Sequence, residues 1–266
     1  NRLNKSAIRM SIPVISKDIF IHGLDRLLTL DSDWCLGKEG YSLYIRPFIF
    51  ASSDSVKASS SKDFTFIVIT SPTTTYYSGD VNLLFEEHYT RASKGGVGYA
   101  KAAGNYAATF YPTKLANSKG FQQVIWLDAN EHKYIEECGT MNIFFRVGDK
   151  LITPEISDSI LDGITRNSVI RIARDLGIIV EERRILVSDI VDAHKEGKLK
   201  EVFGTGTAVS VSPINSLTFR SDKMTLGVVK DSYALRLKER LQSIQRGQIE
   251  DVYGWISRIS VKNNII

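Results

Sequence analysis

The sequence predicts a mixed α and β (α+β) fold. Amphipathic segments with helical periodicity alternate with short stretches rich in Tyr, Ile, Phe and Val, which is typical of helices interspersed with strands. A chain of 266 residues is long enough for one large domain or two modest ones. Its 43% hydrophobic and 24% charged residues are those of an ordinary globular protein. Together these values exclude a disordered chain and a small disulfide scaffold.

The N-terminal part of the chain is predicted to form two helices followed by two strands. Pro13 separates the two helical patterns. A Ser-rich stretch over residues 52–61, typical of a solvent-exposed loop, separates the two β-rich segments. The predicted elements are, in chain order, helices at 2–10 and 16–30 and strands at 41–51 and 63–70.

Residues 71–80 are dense in turn formers and show no periodicity, which predicts an interdomain linker. We therefore expect a small domain over residues 1–70 and a large domain over residues 81–266. The chain begins with Asn1, and the residues that follow it already resemble the middle of a helix. The small domain is therefore expected to be incomplete at its N terminus.

The large domain is predicted to alternate strands with four helices. A Gly-rich turn at 95–98 precedes the first helix, and Gly120 and Gly177 close the first and second helices. The predicted strands are 81–88, 123–128, 134–137, 142–147, 151–153, 178–185, 202–212 and 217–220, and the predicted helices are 104–117, 160–176, 187–197 and 232–249.

The charge pattern and the cysteines give expectations about partners and location. Thirty-four Lys and Arg against 30 Asp and Glu leave a net charge of +4, and the charges are interspersed, so a nucleic-acid partner is not indicated. No apolar run approaches the roughly 18 residues that span a bilayer. Cys35 and Cys138 lack the spacing of a zinc site or a disulfide framework. We expect a cytoplasmic protein with no metal site, no nucleic acid and no membrane among its partners.

The first segment that could carry chemistry contains Lys101. Glycines and alanines surround this lysine, and Tyr106 follows five residues later. The segment matches neither a P-loop nor a dinucleotide fingerprint. A lysine without long neighbours can be approached by a planar ligand, and an apolar setting would lower its pKa toward the neutral amine that attacks a carbonyl. The alternative is a solvated lysine in a Gly-rich turn.

A second segment places Glu137 at the end of a predicted strand, before a turn at Gly139 and Thr140. An inward-pointing carboxylate at this position could protonate and hold a ring nitrogen, which turns a pyridinium into an electron acceptor. An ordinary hairpin explains the same pattern.

Two further segments have the features of anion sites. Residues 163–166 open a predicted helix, where free N–H groups and the helix dipole favour negative charge. Residues 203–208 contain two glycines that allow a backbone nest, and the hydroxyls of Thr205 and Thr207 can donate to phosphate oxygens. Together they suggest one phosphate held by a helix N terminus and a Gly-Thr loop.

Histidine chemistry and serine hydrolysis find no support in the sequence. The four histidines show no metal-binding or catalytic spacing, and no serine lies in a nucleophile elbow. We interpret the histidines as structural or surface residues, and these are His22, His88, His132 and His194.

These segments together resemble the branched-chain amino acid aminotransferases, which are fold type IV pyridoxal phosphate enzymes. The motifs occur in the same order over nearly the whole chain, and they are residues 95–106, 134–145, 163–166, 180–183, 203–208 and 244–247. The resemblance implies a small α/β domain and a larger β-barrel-like domain with helices. It further implies pyridoxal 5′-phosphate as cofactor, a homodimer, and transamination of Leu, Ile and Val with 2-oxoglutarate by a ping-pong Schiff-base mechanism.

The resemblance also assigns residues to roles. Lys101 matches the lysine that forms the Schiff base and moves the proton, Glu137 matches the carboxylate on the pyridine nitrogen, and Tyr106 matches the partner of the phenolic oxygen. The remaining cofactor-binding residues that it implies are Thr140, Ile164, Thr165, Thr205, Gly206 and Thr207. The substrate-binding residues that it implies are Tyr44, Arg46, Tyr76, Thr140, Thr207 and Ala208.

The sequence also departs from the family pattern. Residues 73–75 are three threonines where the family often has Val-Gly, and residues 209–212 lack the redox CxxC of the mammalian members. The arginine that binds the cofactor phosphate in the family is expected to precede Asn1. The alternatives are another fold type IV activity, on D-amino acids or aminodeoxychorismate, an inactive truncated fragment, or a basic module for an anionic polymer.

Overall fold

The computed structural model describes residues 1–35, 40–74 and 80–259. The chain divides into two compact units, one of residues 1–76 with 252–266 and the other of residues 77–251. The residues after 251, expected in the large domain, thus group with the N-terminal unit. Six α-helices and twelve strands lie in the described ranges, which confirms the mixed α and β class. No helix in these ranges is both long and apolar enough to cross a membrane.

The N-terminal unit pairs two helices with a two-stranded antiparallel sheet. Its elements are α1 (Arg2–Arg9), α2 (Lys17–Leu30), β1 (Ser42–Ala51) and β2 (Phe64–Thr73). α2 begins close to the predicted position because the hydroxyl of Ser16 accepts the N–H of Ile19 at 3.2 Å and caps the helix. The rings of Phe20 in α2 and Phe66 in β2 stack with centroids 6.0 Å apart, which packs the helix against the sheet.

β2 continues three residues beyond its predicted end, into the segment expected to be the linker. Ser71, Pro72 and Thr73 pair with the first residues of β1, Tyr44, Leu43 and Ser42 respectively. Turn-forming residues can occupy an edge strand when a partner satisfies their backbone groups. The part of the predicted linker over residues 75–79 lies outside the described residues.

The larger unit contains ten strands in two five-stranded sheets, with four helices. The first sheet has the order β12-β11-β3-β4-β5 and the second has the order β10-β9-β6-β7-β8. The strands are β3 (Asn82–Phe85), β4 (Gln123–Leu127), β5 (Ile135–Cys138), β6 (Asn142–Val147), β7 (Lys150–Thr153), β8 (Ile179–Glu182), β9 (Leu199–Gly206), β10 (Ser210–Pro213), β11 (Ser216–Phe219) and β12 (Asp222–Thr225). The helices are α3 (Ala103–Ser118), α4 (Ile164–Asp175), α5 (Val187–Lys195) and α6 (Tyr233–Gln245).

A tight turn connects the two sheets between β5 and β6. The backbones of Cys138 and Met141 exchange hydrogen bonds of 2.9 and 2.8 Å across the turn. Gly139 has φ +53°, and a Cβ there would come within 2.5 Å of the Gln123 side chain, so the turn requires glycine. The main core packs side chains of both sheets together, including Leu83, Ile125, Phe145 and Leu217. The carboxylate-bearing strand β5 is therefore anchored at its end.

Two predicted elements of the larger unit are wrong in their boundaries. The single strand predicted over residues 202–212 is a hairpin, because β9 and β10 pair antiparallel with Ser210 opposite Gly206. The helix predicted from Ile160 begins at Ile164, because the preceding residues hydrogen-bond to other segments, as Leu161 N–H does to Glu137.

Two strands of the first sheet also differ from the prediction. β3 ends at Phe85, before the predicted end at His88, because the carboxylate of Glu86 accepts the N–H groups of His88 and Tyr89 and forms a turn. β12 has no counterpart in the prediction, since its sequence lacks apolar alternation. It forms by antiparallel pairing with β11.

Candidate active site

Lys101 lies between the Gly-rich turn and the start of α3 at Ala103. Its Nζ donates a hydrogen bond of 2.8 Å to the hydroxyl of Tyr106, one turn into the helix. The Lys101 residue is exposed, so the apolar setting expected from its small neighbours is not found. Small neighbours leave the ammonium open to approach rather than enclosing it. The structure thus brings together the predicted amine and the predicted phenol.

The backbone before Lys101 is held in place by close packing and by Asn105. A Cβ on Gly98 would lie 2.6 Å from both Ala92 Cβ and Ser159 Cα, so this position requires glycine. The amide of Asn105 donates hydrogen bonds of 2.8 Å to the carbonyls of Val97 and Ala100. Fixed backbone on both sides sets the direction in which the lysine leaves the chain.

Glu137 is a buried carboxylate on β5, with 3% of its surface exposed. Its Oε1 accepts the N–H of Leu161 at 2.7 Å, and its Oε2 lies 3.2 Å from Nε of Arg91. Burial raises the pKa of Glu137, whereas the Arg91 charge and the Leu161 N–H act in the opposite direction. The carboxylate therefore has both a hydrogen-bond donor and a counterion within the protein.

Glu136 is a second buried carboxylate, directly before Glu137 in β5. Its Oε1 accepts a hydrogen bond from the hydroxyl of Ser159, and its Oε2 has no hydrogen-bond partner among the described residues. Burial raises the pKa of Glu136, and the bond from Ser159 and the charge of Arg91 only partly offset this effect. The folded chain therefore holds a proton on Glu136 more tightly than the unfolded chain does.

This difference predicts how Glu136→Gln changes stability with pH. In the parent, the contribution of Glu136 to the free energy of unfolding falls as the pH rises from its ordinary pKa of 4.5 through the raised folded value. Gln cannot ionise and keeps an acceptor for Ser159. We therefore expect the variant to gain stability relative to the parent across this window, by about 1.4 kcal/mol for each unit of pKa difference. Urea unfolding at a series of pH values measures the gain, and a difference independent of pH would contradict it.

Three predicted cofactor residues line one small cavity with a volume of about 10 Å³. Such a volume holds roughly one water molecule. The predicted residues at this cavity are Tyr106, Glu137 and Thr140, and the other lining residues are Arg91, Ala100, Asn105, Thr109, Gly139 and Leu161. The first two chemical segments of the sequence therefore meet in the structure.

The two predicted phosphate segments meet at a second, larger cavity of about 160 Å³ at the N terminus of α4. Gly163 is the N-cap residue of α4, and no side chain caps the first N–H groups of the helix. The hydroxyl oxygen of Ser210 is buried and has no hydrogen-bond partner within the described ranges. The lining residues are Ile164, Thr165, Ser168, Thr207, Ser210, Leu241 and Gln245. Open N–H groups and hydroxyls around one space are suited to an anion.

The other predicted residues of this loop have different surroundings. Thr205 is buried within β9, and its hydroxyl has no hydrogen-bond partner in the described part of the chain. Gly206 ends β9, and Ala208 is exposed in the turn of the hairpin. Neither Thr205 nor Gly206 lines the 160 Å³ cavity.

The segment between the two cavities is fixed by Asn142. Its amide donates to the carbonyl of Leu161 at 2.9 Å, while the N–H of Leu161 donates to Glu137. A Cβ on Gly163 would lie 2.0 Å from Oδ1 of Asn142. The approach of Asn142 to this backbone therefore sets where α4 begins.

We expect Gly163→Ala to lower the free energy of unfolding by about 1–3 kcal/mol, the usual cost of overpacking. It should also weaken binding of phosphate compounds, because the start of α4 must move. Gly104→Ala is the matched control, since Gly104 is helical with nothing within 4 Å of the added Cβ and should gain about 0.5–1 kcal/mol. Thermal and urea unfolding measure both variants, and equal stabilities would contradict the expectation.

Two predicted substrate residues belong to the N-terminal unit. Tyr44 and Arg46 lie two residues apart on β1 and so share one face of the strand. Nη2 of Arg46 donates to the hydroxyl of Tyr44 at 3.3 Å, and the guanidinium carbon lies 5.2 Å from the ring centroid. Tyr76 lies outside the described residues.

Comparison with known proteins places this arrangement in a family. The sequence model of the family described as Amino-transferase class IV matches residues 1–217. The chain belongs to the class IV aminotransferases. A Staphylococcus epidermidis relative, named as a probable branched-chain-amino-acid aminotransferase, is 42% identical over 259 residues, which cover 96% of this chain and 72% of the relative. Branched-chain-amino-acid aminotransferase 2 of Bacillus subtilis is 41% identical over 263 residues, covering 97% and 72%.

Solved structures of class IV aminotransferases share the fold. The branched-chain amino acid aminotransferase from Escherichia coli superposes with a TM-score of 0.75 at 26% identity, covering 97% of this chain and 81% of that one. A second branched-chain amino acid aminotransferase, solved with pyridoxamine 5′-phosphate and with its source abbreviated T.th., gives a TM-score of 0.79 at 24% identity, covering 97% and 81%. The predicted fold type IV is therefore confirmed.

Class IV aminotransferases depend on pyridoxal phosphate, which confirms the predicted cofactor. The residues of this chain fit that group. Its phosphate matches the uncapped N terminus of α4 and the unpartnered hydroxyl of Ser210 in the described part of the chain. Its ring nitrogen calls for a carboxylate shielded from water, and Glu137 is one. Its aldehyde calls for an accessible amine, and Lys101 is one.

Several residues of this class IV aminotransferase site were not predicted from the sequence. Arg91 carries no motif, and its contact with Glu137 joins segments that are distant along the chain. Ser168 and Gln245 lie inside helices, where no local pattern marks them as lining residues. Ser210 could have been suspected, since it follows the Gly-Thr loop closely.

Proposed function

We propose that this class IV aminotransferase transfers the amino group of leucine, isoleucine or valine to 2-oxoglutarate in two half-reactions. The names of the relatives support this substrate class. The single observation that carries the proposal is the meeting of Tyr106, the hydrogen-bond partner of Lys101, with the buried carboxylate of Glu137 at one cavity. An accessible amine beside a shielded carboxylate is what cofactor-dependent amino transfer requires.

Pyridoxal phosphate, when bound, supplies the carbonyl carbon that takes up an amino group and a ring that accepts electrons. In our proposal Glu137 holds the ring nitrogen and Tyr106 donates to the phenolic oxygen. Thr140 lines the same cavity. The phosphate is held by residues at the α4 N terminus and the Gly-Thr loop, which are Ile164, Thr165, Thr205, Gly206, Thr207 and Ser210.

Lys101 is proposed to move the proton. Its Nζ removes the proton from the substrate Cα and returns it on the other carbon, as a general base and then a general acid. The hydrogen bond to Tyr106 keeps the amine near the reacting atoms between these steps. The close packing of Gly98 limits the backbone motion that would misplace the amine.

Substrate carboxylates are proposed to bind to the predicted polar groups. Tyr44, Thr207 and Ala208 hold the α-carboxylate, and Tyr76 forms an aromatic wall. Arg46 receives the side-chain carboxylate of glutamate, for which its planar guanidinium is suited. Its hydrogen bond to Tyr44 gives it a resting position when an apolar side chain is bound.

Cofactor binding and a substrate panel test this proposal. The chain purified with pyridoxal phosphate should show a visible absorbance band that borohydride bleaches, with the label on Lys101 by mass spectrometry. Leucine, isoleucine and valine should each support glutamate formation, whereas D-alanine and aminodeoxychorismate should not. Turnover of D-alanine or aminodeoxychorismate alone would replace the proposal with another activity, and absence of the band would indicate an inactive fragment.

We also propose that the chain works as a homodimer. Helix α3 exposes large apolar side chains at Phe110, Tyr111 and Leu115, the first of them 69% exposed. Contiguous exposed side chains of this kind are typical of surfaces that contact another protein. Light scattering during gel filtration should give twice the chain mass, and Phe110→Lys should shift the mass toward that of one chain. A monomer at working concentrations would contradict the proposal.

A cytoplasmic location is proposed on the basis of the cysteines. Cys35 is exposed and Cys138 is buried, and both are free thiols. Reduced, unpaired cysteines are typical of compartments that keep thiols reduced. Cell fractionation with a tagged chain tests the location.

A further inference from the structure

Arg91 is a buried arginine in the segment between β3 and the Gly-rich turn. Its Nε lies 3.2 Å from Oε2 of Glu137. Its Nη2 donates to the carbonyl oxygens of Gly98, at 3.2 Å, and of Ser159. One guanidinium therefore connects the strand that carries Glu137, the turn that leads to Lys101 and the loop that leads to α4.

The contacts of Arg91 use the shape of its side chain. A guanidinium presents several N–H groups in one rigid plane, so it can serve a carboxylate and two carbonyls at the same time. A lysine ammonium at this place could carry the charge but could not reach all three partners. Burying a charge is costly unless it is paired and hydrogen-bonded, and both conditions are met here.

Arg91 also balances two adjacent buried carboxylates. Burial raises the pKa of both Glu137 and Glu136, and the charge of Glu136 further opposes ionisation of Glu137. The charged groups that favour the ionised form of Glu137 are Arg91 and, to a smaller extent, Lys101. With Arg91 removed, one of the two carboxyls is expected to keep its proton at neutral pH.

We propose that Arg91 is a positioning residue of the cofactor site, which keeps the Glu137 carboxylate charged and directed to the cavity that it shares with Tyr106 and Thr140. This inference rests on the proposed role of Glu137 at the ring nitrogen. Arg91 acts through Glu137 and contacts neither substrate nor cofactor itself. Its links to Gly98 and Ser159 keep the guanidinium in place while Lys101 moves.

Infrared titration of the full chain as purified tests the charge of Glu137 directly. The band of a protonated carboxyl, assigned to Glu137 by its loss in Glu137→Gln, is followed against pH. In Arg91→Gln the midpoint should rise by about one to three pH units, the effect that an adjacent arginine has on a carboxyl. Arg91→Lys should shift it in the same direction by less. This measurement needs no turnover, so it stands even if the proposed function fails.

Arg146→Gln is the matched control, because Arg146 is also buried and its Nη1 lies 2.9 Å from Oε1 of buried Glu201. It should leave the midpoint of Glu137 unchanged. In the loaded enzyme, adding Arg91→Gln to Glu137→Gln should lower kcat little further, since both act through one carboxylate. If Arg91→Gln does not fold, Arg91→Lys decides alone. An unshifted midpoint in the Arg91 variants, or an equal shift in Arg146→Gln, would overturn the proposal.

Discussion

Replacing Lys101 by alanine should reduce the rate of transamination by at least about ten thousandfold, the upper range for loss of a positioned acid and base. The side chain of Lys101 is the accessible amine that donates to Tyr106, and alanine leaves no group there that could take the proton from the substrate Cα. The rate is measured as glutamate formed from leucine and 2-oxoglutarate at saturating substrate.

Lys94→Ala provides the control for Lys101→Ala. Lys94 is an exposed lysine just before the Gly-rich turn, so its loss removes the same charge from the same segment. Its activity should stay close to that of the parent. Added methylamine should restore part of the activity of Lys101→Ala, because a small amine can enter the space of the missing side chain. A Lys101→Ala variant as active as the parent would show that the lysine is not the proton-transfer group.

Replacing Glu137 by glutamine should lower kcat by about a hundred- to a thousandfold, the loss typical of one preorganised electrostatic group. Glutamine has nearly the same shape and can still accept the N–H of Leu161, but it carries no negative charge for a protonated ring nitrogen. The loss should therefore appear in kcat more than in the affinity for pyridoxal phosphate, and steady-state kinetics with a cofactor titration separates the two.

Glu136→Gln is the control for Glu137→Gln, since it makes the same chemical change at the neighbouring buried position of β5. Its kcat should remain within a few fold of that of the parent. Similar losses in both variants would mean that the strand, rather than the particular carboxylate at 137, determines the activity.

Local patterns in the sequence were enough to find the chemical segments. The lysine among small residues, the carboxylate before the Gly-Thr turn and the helix opening at Gly163 were all visible, because each depends on neighbours along the chain. The same holds for helices such as α3, predicted at 104–117 and observed at Ala103–Ser118. Periodicity and glycine positions are properties of a short stretch of chain.

Contacts between distant segments could not be predicted in this way. Arg91 becomes meaningful only when β5 and the loop at Ser159 are placed beside it. The late start of α4 likewise depends on Leu161 donating to Glu137, 24 residues away. The β9–β10 hairpin looked like one strand because its turn residues, 207–209, contain no strong turn signal. In each case tertiary hydrogen bonds outweigh the local preference of the chain.

Transfer of labelled nitrogen tests the central claim most directly. The purified chain, loaded with pyridoxal phosphate, is incubated with leucine carrying a heavy nitrogen isotope and with 2-oxoglutarate, and the products are analysed by mass spectrometry. Labelled glutamate and the 2-oxo acid of leucine should form in equal amounts. Without 2-oxoglutarate, the 2-oxo acid should stop at one molecule for each bound cofactor. Release of the label as ammonia, or absence of labelled glutamate, would contradict the assignment of this chain as a branched-chain transaminase.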